Sequence, residues 1–113
     1  APVRLSGCTT SAEGRVELFY NGVWGSLCED DNWDLKDGHV VCRMLGYEYA
    51  LQISSGRKYV KTKSYIVLTS LKCRGSESDI MNCPHQRNLI CRNNDGAGVV
   101  CYRPFISKGN KKA

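Results

Sequence analysis

Seven cysteines in a chain of 113 residues constrain the fold more than any other feature of this sequence. Such a set is rare in the reducing cytosol unless the thiols bind a metal. Zinc explains them poorly, because the sequence has no C-x-x-C pair and its only histidines are His39 and His85. The cysteines therefore predict structural disulfides and an extracellular location, either in a secreted protein or in the ectodomain of a membrane receptor.

The length and the charge of the chain limit its domain organisation and its partners. The length fits one domain with a small core. No run of about 18 apolar residues is present that could cross a membrane, and without a signal peptide we expect a mature or excised domain. The formal net charge of +5 favours anionic partners, although ordinary surface charge for solubility is an equally good explanation.

The clearest helix follows an acidic run. Asp34 can cap it, because its carboxylate can accept the N–H groups of the first turn. Asp37 adds a second negative charge near the positive end of the helix, and Gly46 can end it because glycine takes a positive φ without steric cost. We expect Cys42 to face the core. It shares a side of the helix with an apolar group that consists of Val40, Val41, Met44 and Leu45.

The strongest strand signal is a hairpin that precedes this helix. Residues 15–20 alternate in polarity, and residues 23–27 are mostly apolar. Asn21-Gly22 stands between the two segments. Both residues tolerate the positive φ of a type I′ turn, so the pair predicts a two-residue β-hairpin.

Further elements follow the helix. Residues 48–55 have no clear pattern, and residues 57–64 are basic and fit a surface excursion or an edge strand. Residues 65–71 are β-branched and apolar, which predicts a buried strand, and residues 98–102 predict a last short strand. Ser76 can cap a short second helix.

Together these elements predict a small, disulfide-rich α+β fold. In this fold a curved antiparallel β-sheet cradles one main α-helix, a short second helix is added, and disulfides hold the loops. Spacing alone does not settle which cysteines pair, because six cysteines allow fifteen connectivities. The six that lie on or beside the predicted elements are Cys28, Cys42, Cys73, Cys83, Cys91 and Cys101.

Several segments also resemble a known family. They are Gly14–Leu18, Tyr20–Cys28, Trp33–Leu35, Val40–Tyr47, Cys73–Glu77 and Gly98–Cys101. In order, cysteine placement and aromatic positions they resemble successive motifs of the scavenger receptor cysteine-rich domain. The resemblance runs from about Val3 to Cys101, so we expect that domain at residues 1–102 and a basic tail or linker at residues 103–113.

The resemblance implies a disulfide pairing. The implied pairs are Cys28–Cys91, Cys42–Cys101 and Cys73–Cys83. Cys8 lies outside this set, because Tyr47 stands where the extra cysteine of some family members would pair with it. We expect Cys8 either to be a thiol in a partly ordered loop or to link two chains as a disulfide-bonded dimer.

The resemblance also implies a calcium site. In similar domains two aspartates after the Trp-Gly-x-x-Cys motif, and one acidic residue before the last strand, bind Ca²⁺ through hard carboxylate oxygens. The matching residues are Asp30, Asp31 and Asp95. The alternative is an acidic loop that caps the helix and is otherwise solvated. An extra residue between Cys28 and Trp33 favours that alternative.

A third implication concerns anionic ligands, which members of the family bind through basic surfaces. The candidate residues are Arg57, Lys58, Lys61, Lys63, Lys72 and Arg74. If they converge, they form a patch that binds anionic macromolecules with an affinity that falls as salt rises. The alternative is a sheet edge that lysines protect from pairing.

These observations leave two functions. We do not expect an enzyme, because no serine has a Gly-x-Ser-x-Gly setting and neither histidine has a catalytic context. The first function is an extracellular ligand-binding module of the scavenger or pattern-recognition type, for anionic or protein ligands, with or without Ca²⁺. The second is a non-catalytic structural module of a larger secreted enzyme, such as a protease or a lysyl-oxidase-like protein.

Overall fold

The structure, a computed structural model, describes residues 2–8, 10–59, 65–87, 91 and 96–103. Among these residues lie one α-helix, six strands and two short 3₁₀ turns. The helix is α1 (Leu35–Met44), and the turns are Gly56–Lys58 and Ile80–Asn82. The strands are β1 (Val3–Ser6), β2 (Glu13–Tyr20), β3 (Val23–Leu27), β4 (Ala50–Ser55), β5 (Tyr65–Leu68) and β6 (Ala97–Cys101).

The strands form one sheet around β2. Their order is β4-β6-β2-β3-β5, and β1 pairs with β2 outside this path. Every pairing is antiparallel except that of β3 with β5, which is parallel. A parallel pair needs a long crossover, and α1 and β4 lie in the connection between these two strands. The predicted α+β class is confirmed, with one parallel pairing that the sequence pattern did not indicate.

The hairpin between β2 and β3 is also confirmed. Tyr20 pairs with Val23 across a two-residue loop, and both loop residues have positive φ, 52° at Asn21 and 84° at Gly22. These angles match the type I′ turn that the right-handed twist of two adjacent strands favours.

Helix α1 begins and ends where the sequence predicts. Asp34 and Asp37 form a capping box, in which each side chain accepts a hydrogen bond from the backbone N–H of the other residue. At the other end Gly46 has a φ of +94°. The N–H of Gly46 bonds the carbonyl of Arg43, and the N–H of Tyr47 bonds the carbonyl of Cys42. This arrangement satisfies carbonyls that the helix end would leave unpaired.

The core extends under β2, β3 and β5, and α1 packs on it beside β4 and β6. Val40, Val41 and Cys42 are fully buried on the inner face of the helix, and Gly38 allows the close approach. A Cβ at Gly38 would lie only 3.1 Å from the Ala50 side chain and 3.1 Å from that of Val99. The helix therefore packs directly on β4 and β6.

Three disulfides fasten this arrangement. They are Cys28–Cys91, Cys42–Cys101 and Cys73–Cys83, the pairs that the family resemblance implies. Cys42–Cys101 ties α1 to β6, and Cys73–Cys83 closes the segment that contains the second 3₁₀ turn. Cys8 lies outside these disulfides and is exposed.

The short second helix differs from its prediction. It is a single 3₁₀ turn that Asp79 caps, with the Asp79 carboxylate accepting the N–H of Met81 at 2.8 Å. The prediction that Ser76 caps this helix is wrong. The side chain of Glu77 accepts the N–H groups of Arg74 and Gly75, and the helical turn begins only after Asp79.

Two predicted regions lie largely outside the described residues. Of the basic excursion, residues 60–64 are not described, and the described part begins with the 3₁₀ turn Gly56–Lys58. Of the basic tail, only Arg103 is described. In the described part of the chain no helix is long and apolar enough to cross a membrane.

Candidate functional site

The acidic loop (residues 29–34) is held in place by its first aspartate, Asp30. One carboxylate oxygen of Asp30 accepts the N–H of Asn32 at 3.0 Å, and the other accepts the N–H of Ser70 at 2.8 Å. The carbonyl of Asp30 accepts the N–H of Trp33 at 3.1 Å. Asp30 therefore fastens the loop to the segment after β5, whereas Asp31 is exposed.

The described residues do not by themselves fit a calcium site. Ca²⁺ takes six to eight oxygen ligands, and the loop offers Asp31 together with Asp30, whose oxygens each accept a backbone N–H. The third predicted ligand, Asp95, lies outside the described residues. Within those residues one group of three metal-binding side chains comes together, Cys73, Glu77 and Cys83, but its two sulfurs form a disulfide. Calcium binding stays a prediction that depends on Asp95.

Asp37 is the most deeply buried carboxylate of this region, with no exposed surface. One of its oxygens accepts the N–H of Cys73 at 2.8 Å, and the other accepts that of Asp34 at 2.9 Å. Burial raises the pKa of Asp37 to about 6, although the two backbone N–H groups act in the opposite direction. Asp37 therefore joins the start of α1 to the Cys73–Cys83 loop, beyond the capping role that the sequence indicated.

The predicted basic residues fall on different elements. Arg57 and Lys58 are exposed in the turn after β4, and Lys72 and Arg74 are exposed after β5. Since β4 and β5 are at opposite ends of the strand order, the structure describes two pairs. The ammonium of Lys58 also lies 3.2 Å from the Glu13 carboxylate. Lys61 and Lys63 lie outside the described residues, so the convergence of all six stays a prediction.

A polar cleft opens beside the acidic loop, between residues 69–72 and 84–86. Thr69 and Gln86 exchange two backbone hydrogen bonds, of 2.9 and 2.8 Å, and the N–H of Lys72 bonds the Pro84 carbonyl at 2.9 Å. These bonds hold residues 69–72 and 84–86 side by side and leave a cavity of about 240 Å³. The lining residues are Asn32, Ser70, Lys72, Pro84, His85 and Gln86.

Sequence reasoning identified only Lys72 among the residues that line the polar cleft. The signal that could have revealed the cleft is the implied Cys73–Cys83 pair. A disulfide between residues ten apart brings their flanking segments together, so residues just before Cys73 must lie near those just after Cys83. The acidic loop then joins them through the bond between Asp30 and Ser70.

The two histidines have different environments. The Nδ1 atom of His39 accepts the N–H of Ala50 at 3.0 Å, so His39 helps to hold β4 against α1. The Nδ1 atom of His85 lies 2.7 Å from the carbonyl oxygen of Cys83. A carbonyl can only accept, so Nδ1 of His85 carries a proton and Nε2 is the nitrogen that remains to interact elsewhere.

Comparison with known proteins shows relatives over nearly the whole chain. The family model described as "Scavenger receptor cysteine-rich domain" matches residues 6–102. Over 101 residues, 88% of the chain, the identity is 44% to galectin-3-binding protein of Rattus norvegicus and 42% to macrophage scavenger receptor types I and II of Mus musculus. Over 106 residues, 92% of the chain, it is 34% to lysyl oxidase homolog 3A of Danio rerio. The chain spans 17, 22 and 14% of these three proteins.

A solved structure agrees with these matches. The dimeric form of the SRCR domain of mouse MARCO superposes with a TM-score of 0.70 at 38% identity, covering 88% of this chain and 94% of that one. Its fold class is the one described above. The matched family model and this likeness together show that the chain belongs to the scavenger receptor cysteine-rich domain family.

Proposed function

We propose that this domain is an extracellular ligand-binding module that recognises anionic macromolecules. The observation that carries the proposal is the set of exposed cations on a disulfide-held domain with a net charge of +5. Lys72 is exposed, and the Arg74 side chain is 85% exposed, with its Nε no nearer than 4.0 Å to the Glu77 carboxylate. The similarity to a macrophage scavenger receptor gives independent support.

The use of the acidic residues strengthens this proposal. Asp30, Asp34, Asp37, Glu77 and Asp79 each accept at least one backbone N–H. Backbone N–H groups of the fold thus partly compensate the negative charge of these carboxylates. No comparable internal partner holds the ammonium of Lys72 in the described part of the chain, so its charge is available to a ligand.

Binding to immobilised dextran sulfate tests the proposal, with uncharged dextran as the matched surface. We expect the oxidised domain to bind dextran sulfate alone, with an affinity that falls as the salt concentration rises, because exposed charges are screened. Equal binding to both surfaces, or no binding at low salt, would overturn the proposal.

A second function is a structural module within a larger secreted enzyme. The similarity to lysyl oxidase homolog 3A, of which the chain spans 14%, favours it. In that case the isolated domain binds neither surface, and its removal changes only the behaviour of the longer protein. The dextran sulfate experiment therefore separates the two functions.

Two additions to the first function are separate proposals. Calcium assistance through Asp30, Asp31 and Asp95 is supported by the exposed Asp31 and by the preference of Ca²⁺ for carboxylate oxygens. A disulfide-linked dimer through Cys8 is supported by the exposure of that residue and by the dimeric form of the mouse MARCO domain. Gel filtration of the wild type and of Cys8→Ser without reductant tests the dimer, since only a dimer linked through Cys8 is lost in the variant while the three internal disulfides stay intact.

A further inference from the structure

We infer that the polar cleft binds one oxyanion group, a sulfate or a phosphate, of the anionic ligand. This inference rests on the proposed function and adds the place and the chemistry of one contact. Among the described residues that line the cleft there is an ammonium, that of Lys72, and no carboxylate. The remaining polar side chains, Asn32, Ser70 and Gln86, are neutral and can donate hydrogen bonds.

The size of the cleft suits such a group. Its volume is about 240 Å³, and a water molecule takes a share of about 30 Å³ in the liquid. The cleft thus holds several waters, which a tetrahedral oxyanion and part of the ligand that carries it can replace. Because the cleft is open to solvent, a group on a larger chain can enter it.

The walls of the cleft are already in place. The paired backbone hydrogen bonds between Thr69 and Gln86 fix one end, and the Cys73–Cys83 disulfide closes the other. Asp30 holds both Ser70 and Asn32 through their N–H groups. A site whose polar groups are ordered before binding loses less entropy on binding.

His85 lines the cleft and keeps one ring nitrogen for a ligand. Its Nδ1 atom is committed to the Cys83 carbonyl, so Nε2 accepts hydrogen bonds in the neutral ring and donates only in the protonated ring. A sulfate or phosphate accepts hydrogen bonds through its oxygens, so it pairs best with a donating Nε2.

An NMR titration of the oxidised domain with sodium sulfate, at constant ionic strength kept with sodium chloride, tests the inference. We expect saturable shifts at the backbone amides of Ser70 and Lys72 and in the His85 ring. Lys72→Gln should weaken sulfate binding at least roughly tenfold, which corresponds to about 1.4 kcal/mol.

Lys36→Gln is the matched control, because it removes the same charge from the exposed face of α1. It should leave the sulfate titration unchanged. Shifts in the wild type that do not saturate, or equal titrations for Lys72→Gln and Lys36→Gln, would overturn the inference. The dextran sulfate experiment is independent of this one. If Lys72→Gln binds that polymer as tightly as the wild type does, the proposed function stands and the inference about the cleft fails.

Discussion

The acidic loop and the polar cleft are neighbours that use their charged residues in opposite ways. In the acidic loop Asp30 and Asp34 accept backbone N–H groups, and their carboxylates hold the chain together. In the cleft Lys72 and His85 contribute only backbone groups or one ring nitrogen to the fold. The acidic loop, which is conspicuous in the sequence, therefore has mainly a structural role. The polar cleft, which is not conspicuous in the sequence, retains side chains for a ligand.

The physical reason lies in where backbone donors are exposed. The start of a helix and the turns around it present N–H groups without intrahelical partners, and carboxylates placed there are drawn into capping. The polar cleft, in contrast, is lined by segments whose backbone groups already bond each other. Its side chains need not complete the fold, so they remain available to a ligand.

The largest expected effect is the loss of stability when a disulfide is removed, including the disulfide that closes the cleft. Replacing Cys73 and Cys83 together by alanine should lower the free energy of unfolding by about 3 kcal/mol, through the chain entropy of the short loop that the disulfide closes. Replacing Cys42 and Cys101 together should cost about 4 kcal/mol, because that loop is longer. Urea denaturation measures both changes.

Only the first of these double variants should also abolish sulfate binding, since Cys73–Cys83 closes one end of the cleft. Cys8→Ser serves as the control, because it changes an exposed sulfur outside the three disulfides. It should alter the free energy of unfolding by less than about 0.5 kcal/mol. A Cys73/Cys83 variant that is as stable as the wild type and binds sulfate equally would contradict this account of the cleft.

The next effect concerns the buried Asp37. Burial raises its pKa from the ordinary 3.8 to about 6, so the folded domain holds this proton more tightly than the unfolded chain does. Its contribution to stability is therefore largest below pH 4 and is lost as the pH rises through 6. The full change is on the order of 3 kcal/mol, for a side chain that has no exposed surface.

Urea denaturation of the wild type and of Asp37→Asn between pH 4 and pH 7 measures this contribution. The difference between them, wild type minus variant, should increase by roughly 2 kcal/mol as the pH falls across this range, because asparagine does not titrate. Glu48→Gln, which removes an exposed carboxylate, should show no such change. Parallel curves for the wild type and Asp37→Asn would mean that Asp37 titrates normally.

These comparisons also explain how much the sequence alone could predict. The caps at Asp34 and Gly46 and the turn at Asn21-Gly22 depend on residues within one turn of the chain, and all three are as predicted. Ser76 had the right composition for a cap, but Asp79 caps the 3₁₀ turn instead. Local signals are reliable when no nearby side chain offers a competing cap.

The features that sequence reasoning missed depend on distant partners. Strand β4 has a weak pattern because it is at the edge of the described sheet and its Leu51 is 55% exposed. The parallel pairing of β3 with β5 and the bonds between Thr69 and Gln86 join residues that are far apart in the chain. No local pattern encodes them, so only the implied Cys73–Cys83 pair pointed to the polar cleft that they create.

A smaller effect distinguishes the two neighbouring aspartates of the acidic loop. Asp30→Ala should lower the free energy of unfolding by about 1 to 3 kcal/mol, because it leaves the N–H groups of Asn32 and Ser70 without their acceptor. Asp31→Ala, at an exposed neighbour, should change it by less than about 0.5 kcal/mol. Urea denaturation of both variants in calcium-free buffer measures the two changes in the free energy of unfolding. Equal losses would show that Asp31 also supports the fold.

Calcium gives the sharpest challenge to a purely structural acidic loop. If Asp31 is a ligand, calorimetry should detect calcium binding to the wild type but not to Asp31→Ala, and saturating calcium should stabilise only the wild type, by about 2.7 kcal/mol at one hundred times the Kd. Because Asp31→Ala is expected to keep the fold, loss of binding would reflect a lost ligand rather than unfolding. No heat with either protein would leave the carboxylates of this loop with a structural role alone, and anion recognition would then rest on the cations.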